Sequence, residues 1–238
     1  MSIKAVLFDL DGTLLPMDQE EFVKAYFGLL AKRLAPLGYE AERLYQVLWN
    51  GVAAMVQNDG SCVNEAVFWK VFADAYGEEC LKDKPFIDEF YEIEFNRVQA
   101  VCGFEKAAAE VVEMVKAAGI YTVLATNPLF PHTATENRMR WAGLVPEDFT
   151  FYTTYENSRY CKPNPKYYEE ILQKLNLKPE ECIMVGNDFG EDIVPTEKLG
   201  MQGFLLTDRL IHKGNQDISK YPQGGFAELK EYFRGVLE

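Results

Sequence analysis

The chain has 238 residues, 48% of them hydrophobic and 26% charged, with 37 Asp+Glu against 24 Lys+Arg and a formal net charge of −13. That much apolar material excludes a disordered chain. The acidic balance excludes a protein that grips nucleic-acid duplexes through a basic surface, and an anionic partner would need a local device such as a metal ion, a lysine or backbone amides.

In chain order, residues 3–10 read IKAVLFDL, a short apolar, β-rich run predicted to be a buried strand. The apolar stretch at 5–8 is too short for a signal peptide, and no segment approaches the ~20 apolar residues of a membrane span. The expectation is a cytoplasmic protein with no membrane partner. Residues 11–16 read as a turn. Residues 18–98 carry helical spacing and no strand candidate. Phe22, Tyr26, Leu29, Leu30, Leu34 and Leu37 mark a first helix, stopped by Gly38. Leu44, Val47, Leu48 and Val52 mark a second, Val67, Phe68, Val71 and Phe72 a third, and Phe86, Phe90, Ile93 and Val98 a fourth.

After Gly103 the texture alternates. Helices are predicted at 105–118, 131–142, 165–175, 193–199 and 226–237, and strands at 120–126, 149–155, 183–186 and 201–207. Such alternation implies right-handed βαβ units and a parallel sheet. The strand at 3–10 has no partner in the helical stretch that follows it, so it joins that sheet. The prediction is an α/β, Rossmann-like parallel-sheet core from residues 1–16 and 100–238, with an inserted all-helical domain over 17–99. The five cysteines, Cys62, Cys80, Cys102, Cys161 and Cys182, are dispersed without metal-ligand spacing and read as free thiols.

Four short polar elements fall at predicted strand C-terminal ends, where open parallel sheets bind ligands. They are Asp9-Leu10-Asp11-Gly12-Thr13, Thr126-Asn127, Lys162-Pro163, and Gly186-Asn187-Asp188 with Asp192 following. Asp9 and Asp11 alternate along one strand end, so their carboxylates project similarly and repel unless a cation or a proton relieves them. A hard cation with oxygen ligands, Mg²⁺, suits that pair. Taken singly, each element has an ordinary explanation: an Asp-Gly turn, a helix cap at Thr126 or Asn127, a solvated lysine, an acidic first helical turn.

Taken together and in this order, the four elements resemble the motifs of the haloacid dehalogenase (HAD) superfamily, and the helical insertion looks like its C1-type cap. The resemblance implies a Mg²⁺-dependent phosphatase acting on a small soluble phosphorylated molecule. Asp9 would be the nucleophile that becomes an aspartyl-phosphate, and Asp11 the general acid and then base. An acid at Asp11 argues for phosphoryl transfer over carbon–halogen cleavage, because halide needs no proton. Thr126, the Asn127 backbone N–H and Lys162 would bind the phosphoryl group. Many relatives carry an acid directly after the glycine of the fourth motif, where this chain has Asn187 and then Asp188. On spacing, Asp188 is expected to ligate the metal with Asp9 and Asp11. Asp192 and Asn187 are expected behind the ligands, Asp192 orienting water or Lys162, with Glu191 a lesser candidate. A sugar-phosphate mutase and a non-catalytic phosphate-binding protein are the alternatives.

Other residues carry weaker signals. His132 lies near the Thr126 loop and is a minor candidate for substrate contact, and His212 less so. Cys161 adjoins Lys162 without a histidine partner. Phe22, Tyr26, Trp49, Phe68, Trp69 and Phe72 are read mostly as core of the insertion, with one or two facing the substrate. Lys24, Lys32, Arg33, Arg43 and Lys70 give it basic groups whose orientation the sequence leaves open. Residues 14–19 are expected to flex between catalytic loop and insertion.

Overall fold

The run Ala-Val-Leu-Phe forms strand β1 (Ala5–Phe8), with all four residues buried. A continuous apolar strand of this kind needs cover on both faces, which a parallel sheet between helices provides. The computed structural model describes residues 2–237.

The chain leaves β1 through a turn and enters four helices, α1 (Gln19–Leu34), α2 (Ala41–Val56), α3 (Asn64–Tyr76) and α4 (Lys84–Glu92). Asp18 starts α1 by accepting from the amides of Glu20 and Glu21 at 2.9 and 3.0 Å. The stretch from α1 to Val101 contributes helices and no strand to the sheet. Its apolar stripes meet in an aromatic cluster in which Tyr26 contacts Phe90, Tyr91, Phe95 and Phe130. The chain enters and leaves this insertion at one place. Met17 bridges Cys102 in antiparallel fashion, and the Gly103 amide donates to the Pro16 carbonyl at 2.6 Å. Leu14 and Leu15 are fully buried, so the crossing narrows to 16–18 and 102–103.

The remainder runs α5 (Lys106–Ala117), β2 (Tyr121–Leu124), α6 (His132–Trp141), β3 (Phe151–Tyr152), α7 (Pro165–Leu175), β4 (Cys182–Gly186), α8 (Val194–Leu199), β5 (Gln202–Leu206), β6 (Gln223–Gly224) and α9 (Phe226–Val236). The six strands form one parallel sheet in the order β3-β2-β1-β4-β5-β6. Side chains alternate across it. Val6, Phe8, Ile183 and Val185 face the cluster that holds α5, α6 and α9. Ala5, Leu7 and Met184 face Tyr167, Tyr168 and Ile171 of α7. The first cluster continues without a break into α1 and α2, so insertion and sheet share one apolar core.

Two predicted elements differ, and one short strand lies outside the prediction. The strand expected at 149–155 is only Phe151–Tyr152. Asn157 accepts from the Thr154 amide and donates to the Tyr152 carbonyl, which turns the chain off the sheet edge. The helix expected at 193 is preceded by one wide turn, Phe189–Ile193, capped by Asp188. The two-residue edge strand β6 has no sequence signal beyond its glycine. All five cysteines are free thiols, as read. Among the described residues no helix is long and apolar enough to cross a membrane.

Candidate active site

The strand order reverses at β1, whose neighbours are β2 on one side and β4 on the other. Connections leaving in opposite directions open a crevice at the strands' carboxyl ends. Asp9 follows β1 directly, and its amide donates to the Val185 carbonyl at 2.9 Å. The Ala125 amide donates to the Phe8 carbonyl at 2.7 Å. The loops carrying the first, second and fourth motifs therefore start level. Gly12 lets the first and fourth touch. Its φ is +89°, and a Cβ there would stand 2.5 Å from Asn187 Nδ2.

The crevice holds a hollow of about 250 Å³ lined by Asp9, Asp11, Thr126, Asn127, Asn187, Asp188, Glu191 and Asp192, among others. Lys162 sits behind it, 1% exposed. Its Nζ donates to Asp9 Oδ1 at 2.8 Å and to Asp192 Oδ1 at 2.7 Å. Burial works against the ammonium, yet Asp192 and Asp9 together hold the Lys162 pKa well above the ordinary lysine value. Burial pushes Asp192 up, opposed by Lys162 and aided by Asp9. Asp192 Oδ2 also accepts from the Asp188 amide at 3.0 Å, so one buried carboxylate sets both the lysine and the fourth loop.

Asp11 stands differently. Its Oδ2 is paired with Arg138, while its Oδ1 is buried with no partner. Burial raises the Asp11 pKa, Arg138 lowers it, and Asp9 adds to the rise. Arg138 is fully buried in α6 and lies over the Phe130 ring, 4.3 Å from its centroid. It is the residue the motif order misses. The available signal is positional, since Ala134, Arg138 and Trp141 share one buried helical stripe and only the arginine is out of place there.

The remaining candidates sort by contact. Thr13 Oγ1 lies 2.9 Å from Asp9 Oδ2 and 3.0 Å from Asn187 Oδ1, with one proton for two acceptors. Asn187 Nδ2 is committed to the Arg209 carbonyl at 2.7 Å, which sets the amide's orientation. The Thr126 carbonyl takes the hydroxyls of Thr153 and Tyr167, holding its loop from below. Asn127 bridges Glu191 and the Lys162 amide. Asp188 Oδ1 accepts from the Gly190 and Glu191 amides. Phe22 and Trp49 reach the hollow from the insertion, as does Lys213 from the loop after β5. Lys213 is a second residue without a sequence signal. His132 is exposed and pairs with Glu156, outside the hollow. His212 packs on Phe189. Burial pushes the Cys161 thiol up to about 12, far from a thiolate at neutral pH. Arg33, Arg43 and Lys70 are taken up by neighbours within the insertion.

The sequence profile of the haloacid dehalogenase-like hydrolases matches residues 3–195. The chain belongs to this family. Over 223 residues, 93% of the chain and 90% of the relative, it is 26% identical to pyrophosphatase PpaX of Bacillus cereus. Over 67 residues it is 34% identical to glyceraldehyde 3-phosphate phosphatase of Methanothermobacter thermautotrophicus, a match that spans 28% of the chain and only 30% of that relative. A 2-haloacid dehalogenase from Pseudomonas syringae pv. Tomato shares the fold at a TM-score of 0.65 and 20% identity, with 98% of this chain and 99% of that one covered.

Whether this haloacid dehalogenase-like hydrolase suits a hard cation can be judged from its oxygens. Among the described residues, no three His, Cys, Asp or Glu side chains converge as a ready-made cage. Mg²⁺ does not require one, because it keeps waters and binds through one or two carboxylates plus substrate phosphate. Asp11 Oδ1 lacks a partner, and the Thr13 proton leaves one of two nearby oxygens bare. Carboxylates outnumber cations around the hollow, so the donor set is oxygen-rich, electron-rich and short of positive charge, which fits the ion.

Proposed function

We propose that this protein is a Mg²⁺-dependent phosphatase that hydrolyses a small phosphomonoester through an aspartyl-phosphate on Asp9. The observation that carries this reading is the pairing at the end of β1, a carboxylate with a buried ammonium behind it and a second carboxyl raised in pKa beside it. We also propose that residues 17–99 act as a C1-type cap over a core of 1–16 and 100–238.

The Asp9 carboxylate attacks phosphorus, forming an O–P bond as the ester P–O bond breaks. Lys162 neutralises Asp9 against the incoming anion. Asp11 enters protonated, as burial favours, and gives its proton to the departing oxygen. The Asp11 carboxylate then takes a proton from water, whose oxygen attacks phosphorus and frees Asp9 and phosphate. Thr126 and the Asn127 amide hold phosphoryl oxygens. The Asp9 and Asp188 carboxylates would hold Mg²⁺, with the Asp11 carboxyl left to the proton transfers, and the ion would supply Lewis-acid stabilisation of phosphoryl charge when bound.

Hydrolysis of p-nitrophenyl phosphate with Mg²⁺ tests the reading. EDTA is expected to lower the rate by about 100-fold or more, with full recovery on adding Mg²⁺ back. Turnover indifferent to EDTA defeats the metal assignment. The acid assignment makes its own prediction through Arg138. Its cation opposes protonation of Asp11, so Arg138→Met raises the Asp11 pKa further. The alkaline limb of the kcat/KM profile, where Asp11 loses the proton it must give, is then expected to move to higher pH by about 1–3 units. A profile that stays in place separates Asp11 from the proton transfers.

A further inference from the structure

Next to the catalytic hollow lies a second one of about 110 Å³, enclosed between the insertion and the loop after β2. Its wall is made of aromatic and aliphatic side chains and contains no charged residue. The two hollows share Val23, Trp49, Leu129 and Phe130 as wall, so they lie side by side, one acidic and one apolar. Trp49 stands at the junction, 51% exposed.

The polar atoms of that wall offer little to a hydrophilic guest. The Tyr26 and Tyr91 hydroxyls satisfy each other at 2.5 Å. Trp69 Nε1 and the Tyr155 hydroxyl are both buried in the wall beside each other and bring no charge. A carboxylate or polyol placed there loses its water and gains no ionic partner. An apolar ring loses nothing by the transfer. An apolar cavity of about 150 Å³ stays dry and takes up benzene, so this space suits one aromatic ring or a compact branched alkyl group.

On the phosphatase reading above, we propose that this cavity is the leaving-group subsite and that the substrate is the phosphomonoester of an apolar alcohol, with a ring or branched alkyl group close to the ester oxygen. The reaction remains hydrolysis. The ester P–O bond breaks, the alcohol departs with the Asp11 proton, and water supplies the new oxygen of phosphate.

Benzyl phosphate and ethyl phosphate test this, since both release primary alkoxides and differ mainly in the ring. The whole protein with Mg²⁺ is expected to show kcat/KM at least about 100-fold higher for benzyl phosphate. Val52 lines the apolar cavity and not the catalytic hollow. Val52→Phe is expected to cut that ratio at least about tenfold while ethyl phosphate turnover stays at the wild-type rate, which also reports a folded site. In the unmodified protein, benzyl alcohol is expected to inhibit ethyl phosphate hydrolysis competitively where equal ethanol does not. Equal kcat/KM for the two esters overturns the subsite and leaves the phosphatase reading standing. An unchanged ratio in an active Val52→Phe variant also overturns it. Hydrolysis of neither ester overturns the phosphatase reading and the leaving-group assignment with it.

Discussion

Asp9→Asn is expected to reduce Mg²⁺-dependent phosphate release by at least about 10⁴-fold while the protein stays folded. On the proposed mechanism the loss is this large because the substitution removes the attacking group and not a contributor to its environment. An amide carries no charge to attack phosphorus, so the two-step route closes altogether. The fold survives for a local reason. Asparagine is isosteric, its carbonyl oxygen still accepts from Lys162 or Thr13, and Lys162 keeps Asp192 as its counter-ion at 2.7 Å. Steady-state phosphate release and thermal melting, taken together, decide the point. A variant that melts like the wild type and retains a tenth of its activity removes Asp9 from the chemistry.

Lys162→Met is expected to lose both activity and stability, which distinguishes it from the first variant. Asp9 and Asp192 are 7% and 1% exposed, and they meet over one ammonium. Removing it leaves two buried carboxylates facing each other, at a cost of about 3–5 kcal/mol near neutral pH. Activity is expected to fall by about 10³-fold, because the site then repels the substrate's anion. The stability deficit has a defined pH dependence. Burial already raises Asp192, and without the lysine the pair binds a proton more tightly in the folded state than in the unfolded chain. A raised folded-state pKa contributes stability that is complete at low pH and is lost as pH rises through that value. Urea unfolding is therefore expected to show a large deficit at about pH 8 that shrinks toward about pH 5.5. Equal unfolding midpoints for wild type and variant at both pH values would mean that Lys162 does not hold this cluster together.

The parallel core is legible because strand and helix periods alternate cleanly after Gly103, and because the apolar run at 3–10 has no other partner. Its ends are less so. Residues 149–155 look like a strand by composition, but Asn157 redirects the backbone through side-chain bonds that no periodicity encodes. At the site, Asp9, Asp11, Thr126, Asn127, Asp188 and Asp192 are brought to one hollow from loops far apart in the chain, as their places after strands predict. Lys162 is brought there too, though behind Asp9 and not in the wall. Arg138 and Lys213 escape the reading, since one is a single arginine in a buried helical stripe and the other lies in a loop with no pattern. The division of the aromatics is equally hidden. Phe22 reaches the acidic hollow, Tyr26, Phe68, Trp69 and Phe72 the apolar one, and Trp49 both, and helical spacing alone does not separate them.

The pairing of Met17 with Cys102 has a consequence for how such a protein can change. Viewed from the sheet, the entire insertion occupies the place of a β-turn, attached through one narrow stem. Helices can be exchanged beyond that stem without changing the covalent path from β1 to α5, provided their apolar faces still fit α6 and the loop after β2, on which the insertion packs. On the proposed reading, selectivity and chemistry can then change separately, the one at the walls between the insertion and the loop after β2, the other at the ends of the strands.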